Sequence, residues 1–242
     1  MRLGPVSLGP VSTVNRRLLP RLHGSAVLVP VKAFAHAKAR LAPVLDPLSR
    51  ARLAQSMAEC VIRAASPLPV AVVCDDETVA KWAAVVGAHI VWTPGKGLNG
   101  AVAEGVARLY AAGASEIVVA HADLPLATSF VPLLGFAGVT LVPDRRADGT
   151  NVACVPGCSG FRFSYGPGSF ERHCAEAQRC GLALRVLHHA RLSWDVDIPD
   201  DLAGDLAANL AGDLAGNLAG GLADGTSVRA ATNVSARANH VP

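Results

Sequence analysis

The feature that most constrains this chain is a rhythm in its first half. Strand-length apolar runs alternate with helix-length amphipathic stretches, and the runs are apolar at nearly every position. Strands are expected at Ala26–Val31, Val70–Val73, His89–Trp92, Ile117–Ala120 and Val139–Val142. Helices are expected between them at Pro47–Ala65, opened by Asp46 as cap and Pro47 at its first position, at Glu77–Val86 and at Leu98–Ala112. A strand that is apolar on both faces has to be covered on both faces, which parallel sheets achieve through their crossover helices. After Pro143 the rhythm changes to strands at Asn151–Val155 and Phe161–Phe163, a helix at Ser169–Cys180 and a strand at Ala183–Leu187. The expectation is a Rossmann-like three-layer α/β core with a mixed, mostly parallel sheet, the later strands being inserted or appended.

The flanks read differently. Residues 1–23 repeat LGPVS, carry four arginines and no acid, and show neither periodicity, so they are expected to be a flexible leader. They hold no uninterrupted apolar segment of the secretory kind. From Leu202 to Leu222 leucine recurs every fourth residue among five glycines. A four-residue step walks the stripe about 40° around a helix at each repeat, and each glycine costs about 1 kcal/mol of helix stability. Residues 205–242 are therefore expected to be a low-complexity tail, and 24–204 the folded domain.

Composition narrows the function classes. Residues 24–200 carry 16 basic against 15 acidic side chains, which is no nucleic-acid footprint. No run nears the ~18 apolar residues of a membrane span. Six cysteines in 242 residues, without paired metal-ligand spacing, read as reduced and mostly buried, which points to the cytoplasm. The 51% hydrophobic content is compatible with a homodimer.

In parallel sheets ligands bind beyond the carboxyl ends of the strands. Polar clusters follow the apolar runs at Lys32 to Arg40, Gly97 to Asn99, His121 to Pro125 and Asp144 to Asn151, and a DVD at Asp195–Asp197 follows the last strand. Lys32, Lys38 and Arg40 lie among small residues, an arrangement able to neutralise a triphosphate at close backbone approach. Neither a Walker A sequence nor GxGxxG is present. Asp123 could cap the next element or hold a divalent cation with substrate oxygens. Asp195 and Asp197 alternate along an extended segment and so share a side, where a cation would relieve their repulsion; otherwise they are loop residues ahead of a helix begun by Pro199, Asp200 and Asp201. Gly166-Pro167-Gly168-Ser169 opens a helix whose unpaired amides and serine hydroxyl would suit an anion, and Asp148-Gly149-Thr150-Asn151 forms a turn beside it. His121 is read as strand-end packing, His173 as a surface or supporting residue, and His188-His189 as no metal site.

Taken in order, VPVKAFAHAKARLAPVL, GLNGAV, HADLP, PDRRADGTNV, FSYGPGSFERH and DVDIPDDL resemble the 2-phospho-L-lactate or phosphoenolpyruvate guanylyltransferases of deazaflavin coenzyme F-420 biosynthesis. The resemblance spans residues 26–202 and neither flank. It implies a nucleotidyltransferase of glycosyltransferase-A-like fold, with GTP and a small phosphorylated acid as partners and Mg2+ as cofactor. It further implies that Lys32, Lys38 and Arg40 hold the GTP phosphates and serve catalysis, and that Leu98 and Asn99 lie by the guanosine. Asp123, Asp195 and Asp197 would hold magnesium, and Thr150, Gly166 and Ser169 the acceptor acid. Two departures stand out: Ile198 replaces the family's usual threonine after the DVD, and GKG replaces a proline before Leu98-Asn99. A molybdopterin-type guanylyltransferase would need a glycine-rich first loop that is missing here. A non-catalytic nucleotide-binding regulator would have no need of paired metal-ligand acids. The acceptor is left open among 2-phospho-L-lactate, phosphoenolpyruvate and 3-phospho-D-glycerate.

Overall fold

The computed structural model describes residues 19–202; the expected tail at 205–242 and residues 1–18 of the expected leader lie outside them. Seven strands form one sheet in the order β3-β2-β1-β4-β6-β5-β7. They are β1 (Gly24–Pro30), β2 (Val70–Cys74), β3 (His89–Trp92), β4 (Ala114–Ala120), β5 (Gly138–Pro143), β6 (Thr150–Pro156) and β7 (Ala183–Val186). Pairing is parallel from β3 through β4, and β6 alone runs antiparallel to both its neighbours. β7 is parallel to β5. Consequently the carboxyl ends of six strands and the amino end of β6 share one edge.

Strand residues alternate between two cores, as the period-2 geometry requires. Val27, Val29, Val72 and Val118 face helices α1 (Pro47–Ala64) and α2 (Glu77–Val85). Ala26, Leu28, Val91 and Val119 face α3 (Gly97–Ala111) and α4 (Ser169–Arg179). The three layers expected from the sequence are thus observed. Asp46 caps α1 as expected, accepting from the Leu48 and Ser49 amides at 2.9 and 3.0 Å. α3 lies so close to β1 that a Cβ at Gly105 would sit 2.6 Å from the Leu28 side chain.

Two expectations are corrected. Phe161–Phe163 is not a strand, because its rings are used for packing: Phe161, Phe163, Tyr165 and His173 form a ring cluster with centroids 4.9–6.1 Å apart. Packing also reaches back into the expected leader, since Leu22 is buried and its amide donates to the Ala112 carbonyl at 2.7 Å. No disulfide joins the six cysteines; Cys60, Cys74 and Cys154 are buried while Cys158 is exposed. Among the described residues no helix is long and apolar enough to cross a membrane.

Candidate active site

The chain reverses its order along the sheet between β1 and β4: β1 to β3 progress outward on one side, and β4 returns to the other side of β1. A crevice opens at such a switch point. It is here a cavity of about 590 Å³, lined by Lys32, Lys38, Arg40, Leu98, His121, Asp123, Gly166 and Asp197 among others. A neighbouring cavity of about 270 Å³ is bounded by Lys32, Asp75, Thr93, Gly97 and Leu98.

The loop after β1 is anchored at both ends. Phe34 is buried edge-on against Trp82, 5.1 Å between centroids, and Leu41 is buried with Leu53, Met57 and Val196. Between these anchors Lys38 adopts a left-handed conformation (φ 54°), uncommon for a residue with a Cβ. Its ammonium reaches Asp123 Oδ2 at 2.6 Å and Asp197 Oδ1 at 3.0 Å. Arg40 is exposed and sits 3.7 Å from the other Asp197 oxygen. Lys32 is exposed on the wall shared by the two cavities. Burial works to depress the Lys38 ammonium, but the Asp123 and Asp197 charges outweigh it and hold its pKa above the ordinary lysine value. Burial likewise pushes the Asp123 carboxyl up, and Lys38 reverses this, so Asp123 stays ionised well into acid.

The DVD segment is held beside them. Val196 points into the Leu41 cluster, and its amide donates to the Asp123 carbonyl at 3.3 Å. Asp195 is buried, 3.5 Å from the Asn151 side-chain amide, and its pKa is pushed up to about 6 by burial and by the Asp123 and Asp197 charges. Asp123 and Asp197 line the cavity, whereas Asp195 is not among its lining residues. All three carboxylates offer the hard oxygen donors that suit magnesium. Asp123 Oδ1 is buried with no hydrogen-bond partner, as a metal-directed acceptor would be. Among the described residues no three His, Cys, Asp or Glu side chains form a group able to hold an ion unaided.

Thr150, Gly166 and Ser169 are brought together, but not as an array of open donors. The Gly168 amide donates to Asp148 Oδ1 at 2.9 Å, the Ser169 amide to the Gly166 carbonyl and the Phe170 amide to the Asp148 carbonyl. Ser169 Oγ accepts from the Thr150 amide at 3.1 Å. The unpaired helix start expected from the sequence is corrected: Asp148 takes the Gly168 and Phe170 amides, and the Gly166 carbonyl takes that of Ser169. Gly166, at φ 120°, is the member of this trio that lines the cavity, while Thr150 and Ser169 are buried behind it. Asn99 does not point a free amide into the cavity either. Its side chain accepts from the Tyr165 amide at 2.7 Å and donates to the Tyr165 carbonyl at 3.4 Å, tying α3 to the glycine-rich turn.

The histidines separate clearly. His121 lines the cavity and packs 4.8 Å from the Tyr165 ring, its Nε2 buried without a partner. Burial lowers its pKa. His173 is fully buried rather than on the surface, and it supports the turn by accepting from the Ser164 amide at 2.9 Å and meeting Thr150 Oγ1 at 3.0 Å. His189 accepts from the Leu192 amide. Sequence reading passed over Asn99 as a brace, Asp148 as a cap, and Arg172, whose guanidinium donates to the Ser164 and Pro167 carbonyls. The signal for Asn99 and Asp148 was their place inside polar clusters after strands, whereas Arg172 lies within α4 and had none of that kind.

Comparisons with known proteins fit this geometry. The family model described as "Guanylyl transferase CofC like" matches residues 25–209. The phosphoenolpyruvate guanylyltransferase of Rubrobacter xylanophilus is 38% identical over 185 residues, which is 73% of this chain and 90% of the relative. That of Sphaerobacter thermophilus is 36% identical over 184 residues, 72% of this chain and 89% of the relative. Among solved structures, one from Desulfovibrio desulfuricans G20 assigned as a nucleotide-diphospho-sugar transferase aligns with TM-score 0.61 at 17% identity, covering 75% of this chain and 85% of that one. A nucleotidyl transferase from Methanothermobacter thermautotroptrophicus aligns with TM-score 0.54 at 14% identity, covering 81% of this chain and 99% of that one. At those identities the structures speak for the fold alone.

Proposed function

Since the chain belongs to the CofC-like guanylyl transferase family and is an enzyme of that class, we propose that it transfers GMP from GTP to the phosphate of a small phosphorylated three-carbon acid in coenzyme F-420 biosynthesis. Phosphoenolpyruvate, the acid in its relatives' names, is the first candidate acceptor. The observation that carries this reading is the convergence of Lys38, Arg40, Asp123 and Asp197 on one cavity at the switch point of the sheet.

An acceptor phosphate oxygen attacks the α-phosphorus of GTP, the bond from that phosphorus to the bridging α–β oxygen breaks, and pyrophosphate leaves with the electron pair. The attacking phosphate is ionised near neutral pH, so no side chain has to remove a proton. What the protein supplies is position and charge. Lys32 and Arg40, both exposed at the cavity, meet the incoming triphosphate, and Lys38 hands part of its charge from Asp123 and Asp197 to the phosphates. Asp123, with one or both of Asp195 and Asp197, would hold magnesium together with substrate oxygens, and the ion when bound supplies positive charge to the phosphoryl groups. Thr150 and Ser169 shape the floor beneath Gly166, where the acceptor acid would lie. His121 has no proton to move in this scheme and acts as a wall.

The test is pyrophosphate release measured with GTP, Mg2+ and each of phosphoenolpyruvate, 2-phospho-L-lactate and 3-phospho-D-glycerate, with a coupling enzyme to consume short-lived product. One acid should support turnover far above the others. GTP binding without pyrophosphate release from any of the three would refute the reading and favour a nucleotide-binding regulator.

A further inference from the structure

Asp201 lies outside the cavity, in the single turn Pro199–Leu202 that follows the DVD segment, and is 1% exposed. Its neighbour Asp200 is exposed, so burial here is particular to one of two adjacent acids. One carboxylate oxygen accepts from the backbone amides of Asp197 and Ile198, at 2.7 and 2.9 Å. The other accepts from the guanidinium of Arg145 and, at 2.9 Å, from that of Arg146. A buried carboxylate is costly unless paired and fully hydrogen-bonded, and this one has four donors. Arg145 in turn sits over the Trp194 ring, its Cζ 3.8 Å from the centroid, and Trp194 directly precedes Asp195. The two arginines belong to the β5–β6 loop, whose Asp148 caps the glycine-rich turn.

We propose that Asp201 is a positioning residue: its buried carboxylate fixes the backbone of Asp197 at the cavity, and Arg145 and Arg146 fix the carboxylate. The role rests on the reading of Asp197 as a cation-holding acid. One of the two amides it holds is that of Asp197 itself, so the placement of the Asp197 side chain follows from this bond and from the Val196 amide donating to the Asp123 carbonyl. The arginines couple that placement to the loop framing the acceptor pocket. Asparagine cannot replace the carboxylate. It has the same shape but only one acceptor oxygen, so its NH2 must face either the two guanidinium groups or the two amides, donor against donor.

The experiment compares wild type with Asp201→Asn, Arg145→Lys and Asp197→Asn, using Mn2+ binding in the presence of GTP, followed by electron paramagnetic resonance, and amide hydrogen exchange of a 194–202 peptide. In Asp201→Asn, exchange in that peptide should accelerate about tenfold or more, with the β6 peptide unchanged. Mn2+ should bind about ten- to a hundredfold more weakly, as for groups that orient metal-binding side chains. Arg145→Lys should move both readings the same way by less, and it decides the matter if Asp201→Asn does not fold cooperatively. Unchanged exchange, or unchanged Mn2+ binding while Asp197→Asn weakens it, overturns the positioning role alone. Wild-type Mn2+ binding in Asp197→Asn overturns the cation reading and this role with it.

Discussion

His173 makes the stability of the packing beneath the glycine-rich turn depend on pH, and its bonds give the size of the effect. Because Nε2 accepts from the Ser164 amide at 2.9 Å, that nitrogen carries no proton; the ring is neutral, and Nδ1–H donates to Thr150 Oγ1. Protonation puts a second N–H against the Ser164 N–H inside the core. Burial accordingly pushes the His173 pKa down to about 4 from the ordinary 6.5. The sign follows by linkage: the folded state binds fewer protons than the unfolded one between those values. The contribution is complete above pH 6.5 and lost as pH falls towards 4. The full shift corresponds to about 3 kcal/mol, and the part falling between pH 7 and 5 to about 2 kcal/mol. Asp195 opposes it. Its pKa is raised to about 6, so its contribution grows as pH falls, by roughly 1 kcal/mol over the same interval. Wild-type stability alone therefore understates the His173 effect. The informative comparison is His173→Gln, which does not titrate but keeps an acceptor in reach of the Ser164 amide. Urea denaturation in EDTA at pH 7, 6 and 5 should show wild type losing about 2 kcal/mol relative to this variant. A difference between the two chains that stays constant from pH 7 to 5 would refute the neutral, doubly bonded ring.

Two further substitutions separate the halves of the site. Asp123→Asn removes a charge that Lys38 contacts at 2.6 Å while keeping the side-chain shape; pyrophosphate release should fall by at least ~100-fold with the near-UV circular dichroism unchanged, and near-normal turnover would remove Asp123 from the charge-handling centre. Ser169→Ala strips the buried Thr150 amide of its acceptor; stability should drop by about 1–3 kcal/mol, and the KM for the acceptor should rise more than the KM for GTP, the opposite order being evidence against placing the acid beside Gly166.

The layered core was legible because burial on both faces leaves an unmistakable apolar run, as in Val70–Val73 and Ile117–Ala120. Phe161–Phe163 misled for a related reason: alternating aromatics suit a strand, yet here the rings serve a local cluster around His173. Lys38, Asp123 and Gly166 all line the cavity; the first two were legible as polar groups following apolar strands, and Gly166 only as part of a helix opening. Their partners were not. That Asn99 would be spent on the Tyr165 backbone, or Ser169 on the Thr150 amide, depends on segments 66 and 19 residues apart meeting at a set distance. No local pattern encodes such a meeting. Asp200 and Asp201 make the limit plain, being identical, adjacent residues of which one is solvated and the other buried under two arginines.

The reversed strand explains why the two groups of proposed site residues meet at one edge of the sheet. Strands β1 and β4 bring their carboxyl ends, with Lys38 and Asp123, to the edge where nucleotides bind in sheets of this kind. A further parallel strand beside β4 would bring only another carboxyl end. β6 runs the other way, so the residues arriving beside Asp123 are its first ones, Thr150 and Asn151. The His121 amide donates to the Asn151 carbonyl at 3.0 Å across that junction, the Asn151 side chain faces Asp195, and Thr150 leads to Ser169 and His173. The antiparallel pair β4–β6 thus joins the Lys38–Asp123 centre to the buried Thr150–Ser169–His173 group, the floor of the acceptor site under the proposed function. Under the proposed function, this one ladder would set the separation of the two reacting phosphates, the quantity on which in-line transfer depends steeply. A change that slipped the β4–β6 register by one residue would turn each of Thr150 and Asn151 to the other face of the sheet and separate the two groups.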